Sequence, residues 1–321
     1  MSPEFALIAK YFTRPVKNAT LGIGDDCALV SVPAGRELAI STDTLASGTH
    51  FFADADPEAI GHKALAVNLS DLAAMGATPR YVTLALTLPS IDGEWLAAFA
   101  RGFFALAEEL GVELIGGDTT RGPLSITLTV LGEVASGQAL RREGAHEGDD
   151  VWVSGDLGGA ALALASMEGR CMLPANVFAS AAERLHKPSP RVTLGRRLLG
   201  FATSAIDLSD GLVADLTHIC ERSGLAAHIS WPQVPRSAAL DMVAPAERIF
   251  CALSGGDDYE LCFTAPQSLR EDLHRISVDV GLQLTRIGRM LAGPPRVAVL
   301  DETGPEMRIL SAGFDHFAKR G

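Results

Sequence analysis

The sequence predicts a two-domain α/β (α+β) protein, and three observations carry that expectation. At 321 residues the chain exceeds the size to which a single hydrophobic core usually grows. Apolar, β-rich runs alternate with segments of helical period through the first half. A polar, Gly-containing stretch from Arg141 to Asp149 then breaks the pattern before a new strand begins. These features place an N-terminal domain at 1–143 and a C-terminal domain at 144–321.

Taken in order, Ser2 is suited to an N-cap and Pro3 to a first helical turn. Strands are expected at Leu38–Thr42, Tyr81–Leu86 and Leu124–Val130. Between the first two, Pro57 to Met75 is Ala-rich and helical in period, with Gly76 placed to end it. A second helix spans about Asp92 to Leu110, with Trp95, Leu96, Phe99, Phe103, Leu106 and Leu110 on one face and Gly111 as the stop. Asp92 is an ordinary cap for it. After the break, Val151–Ser154 is a strand. The turn Gly155-Asp156-Leu157-Gly158-Gly159 that follows either holds phosphate on its N–H groups or simply links strand to helix. Ala205–Asp207 leads into a helix from Leu212 to Arg222, and Tyr259–Thr264 is a further strand. Leu-Ser-Asp recurs at 69–71 and 208–210, and Gly-Gly-Asp at 116–118 and 255–257. The segments between these echoes do not match, which argues against a structural repeat.

Composition removes several function classes. A content of 47% hydrophobic and 21% charged residues is that of a soluble globular protein. A net charge of −12 argues against nucleic acid as a partner. No apolar stretch has the length of a membrane span. Five cysteines without a C-x-x-C pair favour neither zinc nor a disulfide framework. The first residues lack a basic, apolar leader, so a cytoplasmic location is expected.

The aspartates carry the chemical signal. They sit beside apolar or Gly-rich segments: Gly24-Asp25-Asp26, Ser41-Thr42-Asp43, Leu69-Ser70-Asp71, Gly116-Gly117-Asp118, Asp207-Leu208-Ser209-Asp210 and Gly256-Asp257-Asp258. Any one of them taken alone reads more readily as a cap or turn former. Six together, next to Ser and Thr hydroxyls, make the all-oxygen donor sets that Mg²⁺ prefers. Asp71 is the most telling, because it falls inside an Ala-rich helix where a lone carboxylate is costly, with Asn68 on the same face. No P-loop, protein-kinase or dinucleotide fingerprint is present. Of eight histidines, only His50 lies near a carboxylate cluster; His62 and His218 read as packing or surface residues on helices.

These motifs resemble bacterial thiamine-monophosphate kinase. The segments Gly22–Ala28, Ser41–Thr44 with His50-Phe51, Val67–Gly76, Gly116–Thr120, Asp207–Gly211 and Ser254–Glu260 occur in that family's order, followed by Gly313-Phe314-Asp315-His316-Phe317. The resemblance runs from about Phe5 to Phe317. It implies a two-domain fold like aminoimidazole ribonucleotide synthetase, with N-terminal strands forming a homodimer interface and ATP in a cleft beside it. It also implies metal ligation by Asp26, Ser41, Thr42, Asp43, Asp71, Asp118, Asp207 and Asp210. Gly117, Asp118, Arg142 and Ser209 would contact ATP, and His50, Asp257 and Phe314 would contact thiamine monophosphate. Asp43, Asp71, Asp210 and Arg142 would carry catalysis, with several Mg²⁺ ions. Two positions depart from the usual pattern: Asp257, where relatives often have Glu, and Phe314, where they have Tyr or Trp.

The implied chemistry suits the residues. A phosphate monoester is mostly dianionic at neutral pH, so its oxygen attacks without a catalytic base. What must be overcome is repulsion between two phosphates, roughly 13 kcal/mol for two charges of −2 about 5 Å apart at an effective dielectric of about 20. Two alternatives stand beside this reading. One is another enzyme of the superfamily, such as selenophosphate synthetase, which carries a reactive Cys or selenocysteine, or the hydrogenase-maturation protein, which ends in a functional Cys. The other is a non-catalytic, metal-dependent nucleotide-binding protein.

Overall fold

The computed structural model describes residues 2–309 and 313. They fall into two compact units, one of residues up to Leu72 with Ala77–Ala139, the other of Ala73–Gly76 with the residues from Leu140 on.

In the first unit, helix α1 (Pro3–Leu7) starts at Ser2, whose hydroxyl accepts the Phe5 N–H at 3.3 Å. Strands β1 (Arg36–Ala46), β2 (Thr78–Leu88), β3 (Glu113–Arg121) and β4 (Ser125–Ala135) form a sheet of order β1-β4-β2-β3. β4 runs antiparallel to β1 and β2, while β3 is parallel to β2. Parallel neighbours need a long crossover, supplied by α3 (Gly93–Leu110). That helix begins at Asp92, whose carboxylate accepts the Glu94 and Trp95 N–H groups, and ends at Gly111 in the left-handed region. Helix α2 (Pro57–Ala74) is buried around most of its circumference, as an Ala-rich helix can be. It crosses α3 closely at two glycines. A Cβ on Gly61 would lie 2.1 Å from the Phe99 carbonyl oxygen, and one on Gly102 1.8 Å from that of Glu58.

The two faces of this sheet differ. Val82, Leu84, Leu86, Ile126, Leu128 and Val130 point to a buried face. Thr42, Thr44, Thr83, Thr87, Thr127 and Thr129 alternate onto the other, where Thr42 pairs with Thr129 at 2.9 Å and Thr44 with Thr127 at 2.8 Å. One expectation needs correction here: the strand expected to end at Thr42 runs on to Ala46, so Ser41-Thr42-Asp43 lies within β1. Gly116-Gly117-Asp118 lies inside β3. Glycine usually breaks a strand, but Gly117, with φ 149°, is required in this one. A Cβ there would sit 1.9 Å from the Leu84 carbonyl oxygen.

The irregular segment before β1 is tied down by one side chain. Glu113 accepts the backbone N–H groups of Lys17 and Asn18, both at 2.8 Å, and that of Ala19 at 3.1 Å. Burial alone pushes its carboxyl up, but these N–H groups and the Asn18 amide outweigh it and hold the group below its ordinary 4.5. A lowered folded-state value means stability that is present above about pH 4.5 and is lost as pH falls through that lowered value. Glu113→Gln is therefore expected to lose less stability than the native chain between about pH 6 and about pH 3.5. Urea unfolding at both pH values checks this, and equal losses would refute the tie.

In the second unit, β5 (Asp150–Ser154), β6 (Ser204–Asp207), β7 (Ala226–Ser230), β8 (Leu261–Ala265), β9 (Leu284–Leu291) and β10 (Arg296–Leu300) form a sheet of order β10-β7-β9-β5-β8-β6. Only β10 and β7 pair in parallel. The helices are α4 (Gly159–Met167), α5 (Ala175–His186), α6 (Val192–Leu198), α7 (Leu212–Ser223), α8 (Pro245–Ser254) and α9 (Arg270–Val280). β5 and β8 are buried along their whole length, as central strands covered on both faces are. The sequence echoes are not a repeat: Leu69-Ser70-Asp71 lies on α2, whereas Leu208-Ser209-Asp210 follows β6 as a loop.

Candidate active site

The first unit brings three of the expected residues together through the polar stripe of α2. Ser41 Oγ donates to Asp71 Oδ2 at 2.5 Å, and the Asp43 N–H donates to Asn68 Oδ1 at 3.0 Å. Asn68 is fully buried and is itself oriented by donating to the Ala64 carbonyl at 2.9 Å. Ser41 and Asp43 are two apart on β1 and so share a face, while Asn68 and Asp71 are three apart on α2 and share a stripe. One helix stripe thus docks on one strand face, leaving Asp43 exposed. Beyond the end of β1, His50 Nδ1 accepts the Ala46 N–H at 3.0 Å, which makes Nε2 the donor of the neutral ring.

Other expected ligands of this unit lie elsewhere. The Thr42 hydroxyl is on the opposite face, bonded to Thr129, so only its main chain belongs with Asp43. Register places Asp118 in the row Thr44–Thr127–Ala85, two strands beyond β4 and alternating away from Asp43. Asp26 is exposed in the loop before β1, its N–H bonded to Asp25 Oδ1 at 2.9 Å. A single ring of aspartates is therefore not what this unit presents.

The second unit joins two motifs that are far apart in sequence. The N–H groups of Asp257 and Tyr259 donate to the carbonyls of Ser209 (2.9 Å) and Leu208 (2.8 Å), and the Leu208 N–H donates to Glu260 O at 2.8 Å. Glycines make the approach possible: a Cβ on Gly256 would lie 2.4 Å from Ser209 O, and one on Gly211 2.8 Å from the Ser254 backbone. Asp207 at the end of β6 and Ser209, Asp210 and Asp257 on the adjoining loops are thereby gathered. Gly313 packs here too, since its Cβ would meet Asp210 O at 2.9 Å. Phe314, like His316, lies outside the described residues. Arg142 is exposed, with its carbonyl accepting the Ser223 hydroxyl at 3.3 Å.

Asp215 belongs to this cluster and was missed from sequence. Buried in the first turn of α7, it accepts the N–H groups of Asp210 and Gly211, both at 3.1 Å. Burial, then the charges of Asp207 and Asp210, push its carboxyl up to about 8 against the pull of those N–H groups. An Asp five residues after Asp210 at a helix start was the available clue.

The segment carrying Asp257 is strained and firmly held. Asp257 (φ 62°) and Tyr259 (φ 50°) both occupy the left-handed region, at a cost of about 1–3 kcal/mol each. Between them, Asp258 accepts the Gly158 N–H at 2.9 Å. Burial pushes the Asp258 carboxyl well above its ordinary value, with the Gly158 N–H opposing. Next to it, fully buried Glu260 binds Arg191 Nε at 2.7 Å, Arg184 at 3.3 Å and the Ser154 hydroxyl at 2.6 Å. Three N–H groups of the turn at 155–159 are engaged within the protein, Gly155 with Gln283 O, Leu157 with Pro235 O and Gly158 with Asp258, which favours the strand–helix link.

The donors on both units are carboxylate and hydroxyl oxygens, which suit Mg²⁺. Among the described residues, no three Asp, Glu, His or Cys side chains form a ready-made cage. That also fits Mg²⁺, which is usually held by one or two carboxylates together with substrate phosphates and water.

Comparison with known proteins shows the family and the fold. Residues 24–134 match the family described as AIR synthase related protein, N-terminal domain. The thiamine-monophosphate kinase of Escherichia coli K12 is 47% identical over 320 residues, covering 98% of each chain, and that of Salmonella typhimurium is 46% identical over 98% of each. The chain belongs to the thiamine-monophosphate kinase family. Among solved structures, the family's enzyme from Stenotrophomonas maltophilia is 49% identical with a TM-score of 0.83, covering 92% of this chain and 93% of that one. AaThiL complexed with AMPPCP and TMP is 31% identical with a TM-score of 0.78, over 92% of each. The hydrogenase maturation protein HypE in complex with ATP, at 22% identity and a TM-score of 0.79, shares the fold. No helix among the described residues is long and apolar enough to cross a membrane.

Proposed function

We propose that this chain transfers the γ-phosphoryl group of ATP to thiamine monophosphate, giving thiamine diphosphate and ADP. The observation that carries the reading is full-length identity of 46–47% to thiamine-monophosphate kinases. A relative of 31% identity is complexed with AMPPCP, an ATP analogue, and TMP. Ser41, Asp43 and Asp71 on one unit, and Asp207 and Asp210 on the other, are the groups that would hold Mg²⁺, with Asp26, Asp118 and the Thr42 main chain as further donors. When bound, Mg²⁺ neutralises charge on the phosphoryl oxygens and keeps the two anions together.

The chain's own groups do the rest. Gly117, Asp118, Ser209 and Arg142 hold the nucleotide, Arg142 adding charge where the phosphoryl group passes. His50, Asp257 and Phe314 take thiamine monophosphate, whose dianionic phosphate attacks in line without a base. The active form is a homodimer in the cytoplasm. Supporting the dimer, β1 is an edge strand 11 residues long that carries Ile40 at 60% exposure, and such an edge ordinarily needs a partner.

The test is ADP release from ATP with Mg²⁺, with and without thiamine monophosphate. Release that depends on the acceptor is expected, together with loss of activity on chelation. Nucleotide binding without acceptor-dependent release would instead favour a regulatory, non-catalytic protein.

A further inference from the structure

The segment 257–260 alternates in direction. Asp258 and Glu260 are engaged by Gly158, Arg184, Arg191 and Ser154, while Asp257 and Tyr259 lie between these anchors in the left-handed backbone region. A bulky residue at positive φ is rare outside glycine. Two such residues, two apart, persist only where the surroundings over-determine them. Here the backbone bonds to Ser209 O and Leu208 O do so. The result of that conformation is a side-chain contact: the Tyr259 hydroxyl donates to Asp257 Oδ1 at 3.1 Å.

We infer that Tyr259 is a positioning residue, whose hydroxyl fixes the Asp257 carboxylate in the orientation that receives the cationic thiamine portion of the acceptor. This rests on the assignment of Asp257 to the acceptor. Thiamine carries a permanent positive charge and an amino group, and a carboxylate with about four lone-pair sites can accept from Tyr259 and still face them. Aspartate has one rotatable bond fewer than glutamate, so the Tyr259 hydroxyl restricts its carboxylate plane effectively. The hydroxyl bonds the carboxylate assigned to the acceptor, so its effect is read in acceptor binding.

Tyr259→Phe removes the hydroxyl and leaves the backbone strain and ring in place. In the full-length enzyme it is expected to raise the KM for thiamine monophosphate about tenfold, leaving the KM for ATP and the Tm unchanged. In an Asp257→Ala background the same change is expected to add nothing, because the two act as a unit. An unchanged acceptor KM in Tyr259→Phe, alongside a raised one in Asp257→Ala, would overturn the positioning role and leave Asp257 at the acceptor. An unchanged acceptor KM in Asp257→Ala would remove the assignment on which the inference rests. Equal rises in both KM values, or full additivity of the two changes, would mean a general disturbance of the fold and would also overturn it.

Discussion

Replacing Asp71 by alanine is expected to lower kcat by about three orders of magnitude while the Tm stays within a few degrees of the native value. Asp71 is anchored by Ser41 on a helix stripe whose other member, Asn68, sets the backbone of Asp43. On the proposed assignment its loss removes a charge that helps to balance two phosphate anions, so the cost is expected in the transition state rather than in the fold. Little stability should be lost, because Asp71 is partly exposed and the Ser41 hydroxyl bound to it can turn to water. Initial rates of ADP release and a thermal melt on the same preparation check both halves. Ser41→Ala serves as comparator and should be milder, since it loosens the carboxylate without removing it. Turnover near the native rate in Asp71→Ala would rule out its part in metal binding.

The largest effect on stability is expected at Glu260. Its carboxylate is fully buried between Arg191, Arg184 and the Ser154 hydroxyl. Glu260→Ala leaves two guanidinium groups without their shared anion and should destabilise by about 3 kcal/mol, the lower end for breaking a buried pair. The lower end applies because Arg184 keeps Asp156 at 2.6 Å and both arginines retain some contact with water. For a unit of this size the Tm should fall by about 6–12 °C. Glu260→Gln, which keeps the volume and part of the hydrogen bonding, should fall less. A thermal scan of both variants tests the ranking, and a Tm within 2 °C of native for Glu260→Ala, roughly the effect of under 1 kcal/mol, would refute it.

Legibility followed the range of the interaction. Asp92 and Gly111 bound a helix because capping is decided within four residues, and both were readable. Asp71 with Asn68 was readable because helical spacing alone puts them on one stripe, although their partners Ser41 and Asp43 could not be assigned to them. The face on which Asp118 lies was not readable, because it depends on the register of three strand pairings. Nor was the strand at Gly116-Gly117, where close approach to Leu84 outweighs the local preference of glycine for turns. The arginine pair around Glu260 is 69 and 76 residues away in the chain, beyond any local pattern. Asp215 was passed over because an Asp near a helix start looks like an ordinary cap. Its connection to Asp207 and Asp210 is visible only once β6 and α7 are in place.

The splice between residues 208–209 and 257–260 has a mechanical meaning. Three main-chain hydrogen bonds cross it, and glycines on both sides leave no slack to absorb a shift. The stretch assigned to nucleotide and the stretch assigned to acceptor therefore travel as one body. A displacement of the Ser209 backbone is thus coupled to Asp257 through the main chain rather than through side chains.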